Sequence, residues 1–191
     1  MTRKTLNDYL LEQIDDLSAD VETAEPKPKY IAVYYTKETS EKLRQWCYDN
    51  GFDLSVKYNG EEQRPEDFKF HTTIIYSTSL HSDIENEDKT IDTKSVEPVA
   101  FECLGEDKDI PVLKVTGEGI LSLREYYTSA YNMTDAWSDY KPHISLSYLR
   151  RDYSDILKNL QLPDFDLDFD TITVQDIIED KKDGNDDQQD N

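Results

Sequence analysis

Two of the three histidines are each followed, two positions on, by a hydroxyl residue: His71-Thr72-Thr73 and His143-Ile144-Ser145. In a β-strand, residues i and i+2 project to the same face, so His71 stands beside Thr73 and His143 beside Ser145. An unperturbed imidazole titrates near pH ~6.5, so two of them can supply one neutral base and one protonated acid at neutral pH. Cleavage of a phosphodiester uses that pair: one ring takes the proton of the attacking hydroxyl while the other protonates the leaving oxygen. The Thr73 and Ser145 hydroxyls would then donate hydrogen bonds to the non-bridging phosphate oxygens as charge builds up. No metal-ligand spacing accompanies either histidine, and the many carboxylates fall mostly in stretches that read as loops and tails. Neither metal nor cofactor is expected. His81, with Asp83 two positions on beside a polar stretch, reads as a solvated side chain.

Further residues are placed to hold a substrate. The thirteen tyrosines and two tryptophans offer stacking surfaces, each worth roughly 1–3 kcal/mol to a nucleobase. Tyr34 or Tyr35 in the first apolar segment, and Trp137 or Tyr140 just ahead of His143, are the best placed. Lys69 and Lys141 each precede a histidine by two residues, a parity that would turn a side chain toward the same phosphate, against the alternative of a lysine that snorkels along the surface into solvent.

The elements that must position these residues follow from the apolar pattern. Tyr30–Tyr35 reads as a buried strand, and Thr36 or Thr39 caps a helix through Leu43, Trp46 and Cys47 that Asn50-Gly51 ends. Leu54–Tyr58 reads as a short strand before the Asn59-Gly60 turn, and Phe70–Ser77 as a strong strand whose Thr72 occupies a position expected to be apolar. The acidic stretch Ser82–Thr93 reads as an exposed loop, and Val96–Leu104 with Pro111–Thr116 as a hairpin. A helix carrying Ile120, Leu123, Tyr126, Tyr127 and Tyr131 comes next, then a strand over His143–Leu149. In that strand Ile144, Leu146 and Tyr148 face the core, leaving His143, Ser145 and Ser147 on an open face. A short helix near Tyr153–Leu160 and a last strand over Leu167–Val174 complete the order. Each half therefore runs strand, helix, histidine strand, an architectural repeat that implies two α+β lobes facing one another. Residues 1–28 read as a helical extension, over Thr5–Val21, with a proline-containing linker; 29–180 form the domain, and 181–191 a disordered acidic tail.

The paired His-x-Thr and His-x-Ser motifs resemble those of the 2H phosphoesterase superfamily. The resemblance implies a bilobal α+β fold: two antiparallel sheets forming a concave cleft with helices outside, each lobe supplying one motif. Within it, Phe70-His71-Thr72-Thr73-Ile74-Ile75-Tyr76-Ser77 and Pro142-His143-Ile144-Ser145-Leu146-Ser147-Tyr148 are most similar to the phage anti-CBASS cyclic-oligonucleotide phosphodiesterases. Ser145 departs from the more usual Thr but keeps the hydroxyl. The implied activity is metal-independent cleavage of small cyclic di- or trinucleotide immune signals, with His71, Thr73, His143 and Ser145 as the catalytic set. Another 2H activity, on RNA ends or 2′,5′ linkages, is the enzymatic alternative. A non-catalytic acidic mimic of nucleic acid is the alternative of another class.

Charge narrows the partners. Forty-two acidic and 21 basic residues give a formal net charge of −21. Long nucleic acids and anionic membranes need a dense Lys/Arg surface, so neither is an expected partner, whereas a small cyclic oligonucleotide needs only a local cleft. No apolar run reaches the roughly 20 residues of a membrane span, and the start lacks the apolar stretch of a signal peptide. Cys47 and Cys103 read as reduced thiols of a cytoplasmic protein.

Overall fold

Ile31, Val33 and Tyr35 are buried at 0, 0 and 5% exposure, the period of two that a strand imposes, and they lie on β1 (Lys27–Tyr35) of the computed structural model. The structure describes residues 25–81 and 83–177. The helix expected over Thr5–Val21 and the tail 181–191 lie outside them. After β1 come α1 (Lys37–Asp49), β2 (His71–His81), β3 (Glu87–Leu104), β4 (Ile110–Thr116) and α2 (Glu118–Ala130). Next are β5 (His143–Ser145), α3 (Ser154–Lys158) and β6 (Leu167–Asp176). β1 begins at Lys27, inside the segment read as linker. Thr36 caps α1, its side chain accepting from the Thr39 N–H, and Gly51 leaves the helix at φ +78°, a conformation that suits glycine.

The fold is α+β, but the strands do not form the two sheets expected. They form one six-stranded antiparallel sheet in the order β2-β1-β6-β3-β4-β5. The physical reason is the length of β3. Its first part, Glu87 to Val96, pairs with β6, and its second part, Glu97 to Leu104, pairs with β4. One strand thus serves two ladders, with register shifts between Thr90 and Lys94 and between Pro98 and Ala100 where it bends.

The acidic stretch read as a loop is therefore largely strand. The first part of β3 pairs with β6 alone, which makes it a sheet edge among the described residues. Charged side chains suit such an edge because they stay in water and discourage pairing with another chain. Asp88 accepts from the Thr173 hydroxyl at 2.6 Å.

One core underlies both ladders: Ile31, Ile75 and Val174 join Leu113, Ile144 and Leu146, with Leu43 and Cys47 of α1 and Ile120 and Tyr127 of α2. Trp46 stacks between Phe52 (5.9 Å) and Phe101 (5.8 Å), tying α1 to the second part of β3. Leu54–Tyr58 is reduced to a single bridge, Val56 to Glu62. No helix of the described residues is long and apolar enough to cross a membrane.

Candidate active site

The motif strands β2 and β5 stand at opposite edges of the sheet, so the edges must be drawn together for the histidines to meet. The segment leading into β5 does this by docking on the outer edge of β2. Ala136 N–H donates to the Tyr76 carbonyl at 2.8 Å, Asp135 bridges to Ser77, and the Tyr140 hydroxyl donates to the Thr73 carbonyl at 2.9 Å. Arg124 of α2 secures the junction. Its guanidinium donates to the Ile74 carbonyl at 2.9 Å, pairs with the buried carboxylate of Asp135, and lies 4.0 Å above the Tyr140 ring.

The two halves of the resulting site are built alike. In one ladder His71 lies opposite Tyr34 and Thr73 opposite Ala32; in the other His143 lies opposite Lys114 and Ser145 opposite Val112. Facing residues of an antiparallel pair share a face, so each histidine and its hydroxyl project from the same side of the sheet. Ala32 and Val112, both fully buried, floor the two halves.

Each imidazole is fixed in the same way. His71 Nδ1 donates to the Lys69 carbonyl at 3.0 Å, and His143 Nδ1 to the Lys141 carbonyl at 2.6 Å. A carbonyl only accepts, so the proton is on Nδ1 in both neutral rings, and Nε2 is left to take or give a proton. Both rings are pushed below the usual histidine range, chiefly by burial. At His71 the charge of His143 adds to this effect, while at His143 the carboxylate of Glu102 opposes it.

Each hydroxyl also has a phenol beside it. The Tyr30 hydroxyl is 3.1 Å from Thr73 Oγ1, and Tyr148 is the phenol beside Ser145. Burial raises both phenols, so they stay protonated. A phenol that donates to the hydroxyl oxygen leaves the hydroxyl hydrogen for a phosphate.

The expected substrate residues separate. Tyr34 lies with its ring 5.5 Å from that of His71 and lines a cleft of about 570 Å³ together with Lys69, His71 and Tyr148. Tyr35 does not belong to the cleft face. It is 5% exposed and hydrogen-bonds Thr72 at 2.8 Å, which also explains how the polar Thr72 sits fully buried in the core. Tyr140 acts within the junction described above. Trp137 is 57% exposed and packs 5.1 Å from Tyr76, which in turn meets Tyr30 edge-on at 6.1 Å. Lys69 and Lys141 supply their carbonyls to the histidines, and the Lys141 ammonium pairs with Asp139 at 3.2 Å.

Two expectations need correcting here. His81 is not solvated but 7% exposed, its Nε2 3.2 Å from the Ser77 hydroxyl, because β2 runs on to His81. β5 ends at Ser145, so the alternation expected through Tyr148 breaks down. Ser147 is fully buried and donates to the Asp53 carbonyl at 2.5 Å, while Tyr148 turns to the cleft. Tyr30, Tyr148 and Lys114 are the site residues that sequence reasoning missed. The parity of β1 places Tyr30 with Tyr34, so Tyr30 was within reach; Lys114 needed the pairing register. Among the described residues there is no group of three side chains able to hold a metal ion.

E. coli LigT, in a complex with 3′-AMP, is similar at TM-score 0.40 and 11% identity, over 78% of this chain and 87% of that one. No curated protein matches the chain. A family model described as anti-CBASS protein Acb1 matches residues 27–184, a span that holds both histidine motifs and every described strand. The chain belongs to the anti-CBASS protein Acb1 family.

Proposed function

We propose that the protein is a metal-independent phosphodiesterase that cleaves small cyclic oligonucleotide signals by paired histidine acid–base catalysis. The observation that carries this reading is the matched presentation of two imidazoles, each with Nδ1 held by a carbonyl and Nε2 left for proton transfer. Membership of an anti-CBASS family supplies the substrate class, a second messenger of a bacterial immune system. Thr73 and Ser145 hold the non-bridging oxygens, and Tyr34 is the nearest stacking surface for a base. A ribose 2′-hydroxyl beside a 3′,5′-linked phosphorus is a better-placed nucleophile than bulk water. The first product is then a 2′,3′-cyclic phosphate, which water opens in a second step.

The test is chromatography of a panel: cyclic di- and trinucleotides, linear 2′,5′-RNA, and RNA ending in a cyclic phosphate. Cyclic oligonucleotides should be cut best, yielding cyclic phosphate or its opened monoester and no 5′-phosphate. His71→Ala and His143→Ala should each lose at least ~100-fold in rate, and the double variant should be little worse than either. Full activity in either single variant would sink the two-histidine reading. Efficient cleavage of a 2′-deoxy substrate would show that water is the nucleophile.

A further inference from the structure

The two halves of the site differ in what stands across the strand from each imidazole. Opposite His71 is the ring of Tyr34, and opposite His143 is Lys114. The described strands carry five lysines and no arginine. Four of the five do not share the face of the motif residues. Lys27 and Lys29 alternate with Tyr30, Ala32 and Tyr34 and pair with Asp176, while Lys89 and Lys94 stand opposite the core residues Ile172 and Phe169. Among the described strand residues, Lys114 is thus the one cation that projects from the same side of the sheet as the histidines.

The ammonium of Lys114 is turned away from β5. It lies 3.6 Å from the carboxylate of Glu102 on β3, the neighbour of β4 on the side opposite β5. Glu102 pairs with Val112, which pairs with Ser145, so the carboxylate belongs to the same face. The charge therefore leans inward over the sheet, from a strand already about 4.8 Å from the one that carries His143. At 3.6 Å the pair is too long for a hydrogen bond, and its side chains are 38% and 39% exposed. Ion pairs of that kind are weak, so the ammonium can exchange Glu102 for another anion at little cost.

A cyclic dinucleotide carries two phosphodiesters. Thr73 and Ser145 meet the one between the histidines, and the other needs a counter-charge in a chain of net charge −21. Around His71 the cations of the cleft are offset by carboxylates: Lys57 pairs with Glu61 and Arg64 with Asp67, and Glu62 lines the same wall. Inward from His143 stands Lys114. We propose, resting on the phosphodiesterase reading, that Lys114 leaves Glu102 to bind the phosphate of the ring that is not being cut, and so selects cyclic oligonucleotides over linear substrates with a single phosphodiester. That phosphate keeps its charge throughout the reaction, so the contact is equally strong in the ground and transition states and acts on KM.

The test compares a 3′,5′-linked cyclic dinucleotide with a linear ribodinucleoside monophosphate. The double variant Lys114→Met with Glu102→Gln removes one charge of each sign and leaves the net charge of the cleft as it was. Its preference for the ring, the ratio of kcat/KM on the two substrates, should fall about tenfold or more, with the loss carried by KM. Glu102→Gln alone frees the ammonium and should raise the preference. An unmoved preference in the double variant, a preference lost through kcat, or a lowered preference in Glu102→Gln overturns the role of Lys114 and leaves the phosphodiesterase reading standing. Wild-type protein that cuts neither substrate removes that reading and the role of Lys114 with it.

Discussion

His71 and His143 are each held by a carbonyl two residues back, yet burial depresses both below the usual histidine range. The direction sets the pH dependence. Catalysis by one acid and one base follows the singly protonated pair, which is most populated between the two titrations, and both lie below the ordinary value of ~6.5. The maximum of kcat/KM should therefore fall on the acid side of 6.5, with about a tenfold loss per unit above neutrality. A profile flat from pH 6 to 8 would contradict this. The placement of each histidine beside its hydroxyl was also where the sequence was most legible. The His-x-hydroxyl spacing needs only the period of two, which a three-residue strand such as β5 still satisfies. Tyr148 was illegible for the complementary reason. Once the backbone leaves the ladder after Ser145, parity no longer says where a side chain points.

At the scale of elements, the site depends on the edge of β2 being capped by the segment that runs into β5. Arg124 secures that junction through the Ile74 carbonyl, Asp135 and the Tyr140 ring. Its loss leaves the carboxylate of Asp135, 7% exposed, without its partner, and breaking a buried pair of this kind costs about 3–5 kcal/mol. Arg124→Leu should therefore lower the melting temperature clearly. It should reduce kcat at temperatures where the protein remains folded, because the segment leading into β5 is no longer held on the edge of β2. A melting curve and a rate below the transition measure the two effects separately. An unchanged rate in a folded Arg124→Leu protein would show that the edges are held together by other contacts. No pattern in the sequence marked Arg124, since it acts on a carbonyl 50 residues away. The edge character of the first part of β3 was equally hidden, because hydrophobic periodicity reports burial and this strand is largely exposed.

At the scale of the molecule, a formal charge of −21 meets an anionic substrate. Long-range repulsion slows encounter, and salt screens it over a Debye length of about 8 Å at physiological ionic strength. Raising ionic strength from about 10 to 150 mM should thus increase kcat/KM several-fold while leaving kcat nearly constant. A fall over that range would mean that a local cationic surface, and not the net charge, governs approach.

The sequence by itself determined the two histidine–hydroxyl pairs, the strand–helix–histidine strand order of each half, and the alternation that makes Ile31 and Val33 core residues. These are local properties, set by side-chain type and by a period of two or 3.6. Tertiary structure alone decided that one long strand joins the two ladders into a single sheet. It also decided that the two edge strands are joined by the segment leading into β5, and that Lys114 stands opposite His143 while Tyr34 stands opposite His71. Those outcomes depend on register and on contacts between distant segments. A one-residue shift of register would turn Lys114 to the opposite face, and nothing in a linear string of residues encodes such a shift.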